Sequence, residues 1–169
     1  MKNKNIFLSN RTVLKISGSN YLNFLNNILT SDITKLKSKE ITPSALLTPQ
    51  GRILFDMLIS LGPVEKINDL GCVFIECEVT QAEDLFRKIN MYNLRKEVVI
   101  EKTSHKVSVT NSPKDYPSSL IDKRFFEISI GRIYSTSKVE NIDFEFQSIN
   151  QEKQNWYDSL RYIHCIPEG

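Results

Sequence analysis

The segment from Ala45 to Leu61 is mostly apolar on both sides of a predicted turn, which is typical of a β-hairpin. Thr48-Pro-Gln-Gly51 supplies the proline and glycine of a tight turn, so Ala45 to Leu47 is expected to pair with Ile53 to Leu61. A period of two gives the second strand one apolar face that is expected to be core: Ile53, Phe55, Met57, Ile59 and Leu61. Its other face is mixed: Arg52, Leu54, Asp56, Leu58 and Ser60. The mixed face predicts either a half-exposed sheet surface or the wall of a pocket, with one carboxylate between two leucines.

Three helices are predicted from apolar residues at helical spacing. The first begins after Ser19 and ends near Thr30, and the second begins at the capping box Thr80 to Glu83. The third is capped by Asn150 and stopped by Pro167. Their buried stripes are predicted to be Tyr21, Leu22, Leu25, Ile28 and Leu29; then Ala82, Leu85, Phe86, Ile89 and Tyr92; then Trp156, Leu160 and Ile163.

Further strands are predicted from short alternating or apolar runs at 11–16, 72–79, 98–100, 106–110, 125–130 and 132–134. The hairpin, the strand and helix that follow it and the strand near 110 make a compact α+β unit, similar to a ferredoxin-like module. We bound this unit at about 45 and 111. A polar linker with two prolines follows at 111–119.

Charge and composition narrow the function classes. The 169 residues carry 22 Lys plus Arg against 20 Asp plus Glu, and this net charge of +2 provides no strong field for nucleic acid or an anionic membrane. The basic N-terminus is followed by too few apolar residues for a signal peptide, and no run approaches the roughly 18 that a membrane span needs. A soluble, intracellular protein is expected.

Few residues offer conventional catalytic or metal chemistry. The three cysteines, Cys72, Cys77 and Cys165, form no CxxC pair, so structural thiols are expected rather than a disulfide framework or a metal site. Only two histidines, His105 and His164, could supply an imidazole. The chain has no P-loop, GxGxxG, HExxH or GxSxG motif. The residues alone therefore predict an α+β protein in which Asp56 either lines a pocket or pairs with a nearby Arg or Lys.

Five stretches in the same order carry a resemblance to a known family. They are Ser17-Gly-Ser-Asn-Tyr-Leu-Asn-Phe-Leu25 with Thr30-Ser-Asp-Ile33; Ala45-Leu-Leu-Thr-Pro-Gln-Gly-Arg-Ile-Leu-Phe-Asp56; Tyr92-Asn-Leu-Arg95; Asp122-Lys-Arg124 with Gly131-Arg-Ile-Tyr134; and Tyr157-Asp-Ser-Leu-Arg161 with Ile166-Pro-Glu-Gly169. Together they resemble the folate-binding YgfZ family, bacterial relatives of the mitochondrial iron-sulfur assembly factors and of the glycine-cleavage T-protein, an aminomethyltransferase.

The resemblance implies an α+β, T-protein-like first domain, made of residues 1–44 and 112–169, that is interrupted by the ferredoxin-like insert at 45–111. In the family a C-terminal barrel follows. The family's hallmark motif, Lys-Gly-Cys-(Tyr or Phe)-x-Gly-Gln-Glu, lies downstream of the Ile-Pro-Glu-Gly segment, and neither that motif nor the barrel is in this sequence. We therefore expect an N-terminal portion that lacks the barrel and the family cysteine.

The resemblance also implies a function. It points to a cytoplasmic, monomeric accessory protein that uses tetrahydrofolate as its cofactor in the assembly or repair of iron-sulfur client enzymes, including ones that thiolate tRNA. Contact with the client proteins is implied, and direct binding of nucleic acid or membrane is not. The alternatives are an aminomethyltransferase of the glycine cleavage system and a non-catalytic protein-interaction module, with RNA binding third.

Four residues are candidates for the site that the resemblance implies. The T-protein aspartate that matches Asp56 lies beside the reactive nitrogen of the folate, so Asp56 is the candidate catalytic and folate-binding carboxylate. Arg52, Arg95 and Arg161 either meet the glutamate tail of the folate or pair with carboxylates of the protein. The T-protein stretch tends to read Gly-Gly-Ile-Ile-Asp-Asp, and Phe55 replaces its first carboxylate here, which favours the YgfZ-like branch. No metal ligands are predicted.

Overall fold

The computed structural model describes residues 5–63, 71–125, 127–136 and 151–167 and has an α+β architecture. Two short 3-10 turns, Ile33–Lys35 and Pro113–Asp115, lie in loops. The strands and helices are β1 Asn5–Leu8, β2 Arg11–Ser17, α1 Tyr21–Ile28, β3 Glu40–Leu47, β4 Ile53–Leu61, β5 Cys72–Glu78, α2 Ala82–Tyr92, β6 Val99–Lys102, β7 Lys106–Thr110, β8 Leu120–Asp122, β9 Gly131–Ser135 and α3 Gln151–Ile163.

The strands form one strongly curled sheet in the order β1-β7-β9-β8-β3-β4-β5-β2-β6. Three strands separate β5 from β9, so a flat sheet would hold these two roughly 19 Å apart. Instead, Nη1 of Arg132 on β9 lies 2.5 Å from Oε1 of Glu76 on β5. The sheet therefore curls around the surface that carries these two side chains, which we call the concave face.

The predicted hairpin is confirmed, with Ala45 opposite Asp56 in an antiparallel β3–β4 pair. Phe55, Met57 and Ile59 of the predicted apolar face are buried and Leu61 is partly buried. The prediction for Ile53 is wrong, because its side chain is 69% exposed. The register runs from Leu46 opposite Phe55 to Leu47 opposite Ile53, which leaves an extra residue on β4. This bulge breaks the two-residue period before the strand reaches the core.

Helices α1 and α2 occupy the predicted segments, but their predicted caps are wrong. Asn20 and Gln81 stand at the two N-caps, and neither side chain accepts a capping hydrogen bond. Glu83 does not close the predicted capping box, because its carboxylate instead accepts hydrogen bonds from Arg87 and Lys102. Both helices are held instead by packing, through Tyr21 and Leu25 in α1 and through Leu85 and Ile89 in α2. The predicted burial of Leu22 and Tyr92 is wrong, because both side chains are exposed.

Two predictions in the last third of the chain are corrected. Among residues 125 and 127–130 no strand forms, and the strand beside β9 is β8 instead. Helix α3 is confirmed, but it buries Tyr157 completely and leaves Ile163 73% exposed. The predicted cap of α3 at Asn150 lies outside the described residues.

Two hydrophobic cores lie on opposite faces of the sheet. The first packs α1 and α2 against the convex side, around Leu25, Ile59 and Ile89. The second lies on the concave face, where α3 packs over β1, β5 and β7 through Tyr157. No residue of α3 belongs to the first core among the described residues. Helix α3 thus covers part of the concave face, together with Phe125, Ile130 and Ile166 among the described residues.

The sheet joins the segments that the sequence assigns to different domains. Strand β2 pairs with β5 and β6, and β1 pairs with β7. Strand β3 itself runs across the proposed limit at 45. The division into a first domain, 1–44 with 112–169, and an insert at 45–111 stays a prediction about the chain's folding units.

Candidate functional site

Asp56 lies on the concave face, near its open end. On the neighbouring strand pair Leu58 stands opposite Glu76, and Asp56 is two residues further along β4 on the same side. The side chain of Asp56 is half-buried, between Leu54, which is exposed, and Leu58, which is buried. Asp56 therefore marks the boundary between the closed and the open part of this face.

A buried ionic network occupies the closed part. Oε1 of Glu76 accepts hydrogen bonds from Nε of Arg11, at 3.0 Å, and from Nη1 of Arg132, at 2.5 Å. The hydroxyl of Tyr134 donates to the other oxygen of Glu76 at 3.0 Å. Glu76 and Arg132 are completely buried and Arg11 is 4% exposed. These contacts tie β2, β5 and β9 together across the curl.

A second carboxylate, Asp122 at the end of β8, extends the network to α3. Arg124 donates two parallel hydrogen bonds to Asp122, from Nε to Oδ1 at 2.9 Å and from Nη2 to Oδ2 at 2.7 Å. Arg132 donates to Asp122 at 3.4 Å and also to the hydroxyl of Tyr157 on α3. Arg124 donates further to the carbonyl of Pro167. The network therefore fastens both α3 and the segment after it to the sheet.

The surroundings of the network shift the pKa values of Asp122, Tyr134 and Cys77. Burial would raise the pKa of Asp122, but the hydrogen bond from Arg124 and the charges of Arg132 and Arg124 outweigh it and hold this pKa below its usual range. Burial, with the negative charge of Glu76, raises the pKa of Tyr134 well above its ordinary value. Burial also raises the pKa of Cys77 to about 11. Asp122 is thus an anion at neutral pH, whereas the phenol and the thiol are neutral.

The described contacts do not bring the four candidate residues together. Arg95 extends into solvent from the loop after α2 and pairs with Glu97 at 3.8 Å. Arg161 on α3 pairs with Asp158 at 2.8 Å and stacks over Tyr157.

Arg52 is exposed beside the hairpin turn. The bulge at the start of β4 interrupts the two-residue period that put Arg52 on the face of Asp56. The spacing between Arg52 and Asp56 therefore does not determine on which face of the sheet the Arg52 side chain lies. A folate site that includes Asp56 with Arg52, Arg95 and Arg161 stays a prediction.

Sequence reasoning missed the network, although its signals are visible. Glu76 is a carboxylate in the apolar run Cys72-Val-Phe-Ile-Glu-Cys77, the same kind of signal that singled out Asp56. Its partners Arg11 and Arg132 lie 65 and 56 residues away along the chain, so no local pattern joins them. Asp122, Arg124 and Arg132 stand in one of the five family-like stretches, but no role was assigned to them.

The described residues contain neither a candidate metal site nor a candidate membrane-spanning helix. Among 5–63, 71–125, 127–136 and 151–167, no group of three or more His, Cys, Asp or Glu side chains is arranged to hold a metal ion. Within the same ranges, no helix has the length and apolar character to cross a membrane.

The likeness to a solved structure defines the fold. The glycine cleavage system aminomethyltransferase T from Bartonella henselae matches with a TM-score of 0.54 and 17% identity, over 64% of this chain and 28% of that chain. The chain thus has the T-protein-like α+β fold that the sequence predicted, and no separate barrel domain lies among the residues that the structure describes.

The sequence comparison adds a particular relative. The chain is 27% identical, over 188 aligned residues, to the mitochondrial iron-sulfur cluster assembly factor IBA57 homologue of Phaeosphaeria nodorum. The alignment covers 96% of this chain and 41% of that relative, so the chain spans less than half of the relative's length. No family model matches the chain.

Proposed function

We propose that this chain takes part in iron-sulfur cluster assembly, with iron-sulfur proteins as its clients, and that it binds tetrahydrofolate at the open end of the concave face. One observation carries the proposal: the similarity to an iron-sulfur cluster assembly factor runs along 96% of the chain rather than through one motif. The T-protein-like fold is compatible with the folate part of the proposal. The cytoplasm is the proposed compartment.

The chemistry of the Asp56 region fits a reduced folate. The half-buried carboxylate of Asp56 is a hydrogen-bond acceptor for the N–H groups of a pterin ring. Leu54, two residues before Asp56 in the chain, is exposed and is the apolar residue that we propose meets the aromatic parts of the ligand. Arg52, exposed on the adjoining turn, is the nearest candidate in sequence for the anionic glutamate tail. When bound, tetrahydrofolate would supply a carrier for one-carbon groups.

Aminomethyl transfer is the rival function that the structural likeness raises. Phe55, which stands where the T-protein stretch tends to carry a first carboxylate, is 9% exposed and packs in the convex core. On this part of β4 Asp56 is therefore the sole carboxylate. We favour the accessory role in cluster assembly for this reason.

Complementation of a strain that lacks the gene tests the proposal. The readout is the activity of an iron-sulfur enzyme, divided by the amount of its polypeptide. We expect the native gene to restore this activity and Asp56→Asn to restore much less, because the amide cannot accept hydrogen bonds as a carboxylate does. Asp84→Asn is the matched control, since Asp84 is a solvent-exposed carboxylate on α2. Normal iron-sulfur enzyme activity in the deletion strain would contradict the proposal, and equal activity with both variants would remove Asp56 from it.

A further inference from the structure

Arg11 reaches across the sheet toward the strand that carries Asp56. Arg11 stands opposite Glu78 at the start of β2, but its side chain leans along β5 to Glu76. Its Nε donates to the carboxylate of Glu76 at 3.0 Å, and its Nη2 lies 3.5 Å from the main-chain oxygen of the same residue. The guanidinium therefore lies over the backbone of β5, on the side away from α1 and α2.

Asp56 lies on β4, on the opposite side of β5 from Arg11. Strand β5 runs between β2 and β4, so Arg11 and Asp56 flank it. The recorded β4–β5 pairing ends with Leu58 opposite Glu76. Continuing this antiparallel register by two residues puts Asp56 level with Glu78, the residue that Arg11 also faces. The two strands are about 10 Å apart, a span that an extended arginine and an aspartate close together.

The electrostatics of Cys77 agree with this placement. Cys77 lies on β5 between Glu76 and Glu78, and its thiol responds to the charges of both Arg11 and Asp56. Burial raises the pKa of Cys77 most strongly. The positive charge of Arg11 lowers it, and the negative charge of Asp56 is among those that raise it. Both charged groups therefore lie close to the same residue of β5.

We propose that Arg11 is a positioning residue for Asp56: anchored on Glu76, its guanidinium donates across β5 to the Asp56 carboxylate and fixes its direction toward a bound ligand. This role rests on the proposed binding of tetrahydrofolate at Asp56. Arg11 has the required chemistry, because a guanidinium presents five N–H donors in a rigid plane and Nε, with part of Nη2, serves Glu76. In this proposal a remaining N–H donor of Arg11 serves the Asp56 carboxylate.

A double-mutant cycle on ligand affinity tests the coupling. The dissociation constant of tetrahydrofolate is measured by anaerobic calorimetry for the native chain, Arg11→Met, Asp56→Asn and the double variant, with circular dichroism to show that each is folded. We expect each single change to weaken binding about tenfold or more, and the double variant to bind no more weakly than Asp56→Asn. Arg11→Lys should recover part of the loss, because it keeps the charge. Independent effects that multiply in the double variant would overturn the proposal.

A second measurement does not depend on the ligand. The NMR chemical shift of the Asp56 carboxyl carbon is measured in the native chain, in Arg11→Lys and in Arg87→Lys. Arg87→Lys is the control, because Arg87 is an exposed arginine on α2. We expect its chemical shift to move in Arg11→Lys alone. An unchanged shift would overturn the pairing even if tetrahydrofolate binds. A moved shift with no tetrahydrofolate binding would keep the pairing and remove the proposed folate site.

Discussion

Replacing Arg132 by methionine tests whether the buried network holds the curled sheet together. Arg132 is completely buried and contacts Glu76 on β5, Asp122 on β8 and Tyr157 on α3. Removing one partner of a buried ion pair costs about 3–5 kcal/mol. Each carboxylate keeps a second arginine here, Arg11 for Glu76 and Arg124 for Asp122, so we expect the lower limit, about 3 kcal/mol.

The assay is reversible unfolding in urea and on heating. A loss of about 3 kcal/mol should lower the melting temperature by roughly 6–12 °C in a chain of this length. The single tryptophan, Trp156 on α3, packs against the concave core, so its fluorescence reports whether α3 stays docked. Arg132→Lys should recover little, because an ammonium cannot make the three contacts of the guanidinium at once.

Arg95→Met is the matched control for Arg132→Met. Its side chain is 88% exposed and its contact with Glu97 is 3.8 Å long, so we expect a change within about 0.5 kcal/mol. The reasoning would be refuted if Arg132→Met were as stable as Arg95→Met, since the network would then contribute nothing to the fold.

Three other predictions concern stability and reactivity. The folded-state pKa of Asp122 is lowered, so its contribution to the free energy of unfolding is present above the ordinary value of 3.8 and is lost below it. In urea titrations the native chain should therefore be more stable than Asp122→Asn by a smaller margin at about pH 3 than at about pH 7. A margin that stays constant would contradict this. At about pH 8 a thiol reagent should label the exposed Cys165 in the native chain and Cys77 only after denaturation, because burial raises the pKa of Cys77 to about 11; equal labelling rates would be inconsistent with this burial. Gly18→Ala should lower the free energy of unfolding by roughly 2–3 kcal/mol, since φ is +119° and a Cβ would lie 2.8 Å from a carbonyl oxygen. Gly51→Ala, at φ +80° with open space around it, should lower it by only about 1 kcal/mol. Equal losses of stability would argue against the close approach at Gly18.

Local patterns sufficed for the elements whose residues interact with near neighbours in the chain. The hairpin turn at Thr48 to Gly51 set the pairing of β3 with β4, and helical spacing set α2. The pattern failed at Ile53 because a bulge is a property of two paired strands, which a single-strand period does not contain. It failed at Glu83 because Lys102, 19 residues away, competes for the carboxylate.

The concave face shows the limit of sequence reasoning about the site. Period-two counting placed Asp56 on a mixed face, and the structure has Asp56 half-buried on the face opposite the convex core. The same reasoning could not find that this face closes around Glu76 and Arg132, because the curl brings together strands that are distant in both sequence and sheet order. The resemblance predicts a ligand for Asp56, and the network ties together the strands β2, β5 and β9 of the same face.

Calorimetric titration of tetrahydrofolate into the purified chain, beside Asp56→Asn and the control Asp84→Asn, tests the proposed site most directly. We expect saturable binding by the native chain and by Asp84→Asn, and affinity lower by about tenfold or more in Asp56→Asn, with circular dichroism to show that the variant is folded. No saturable binding by the native chain, or equal affinity in Asp56→Asn, would contradict it.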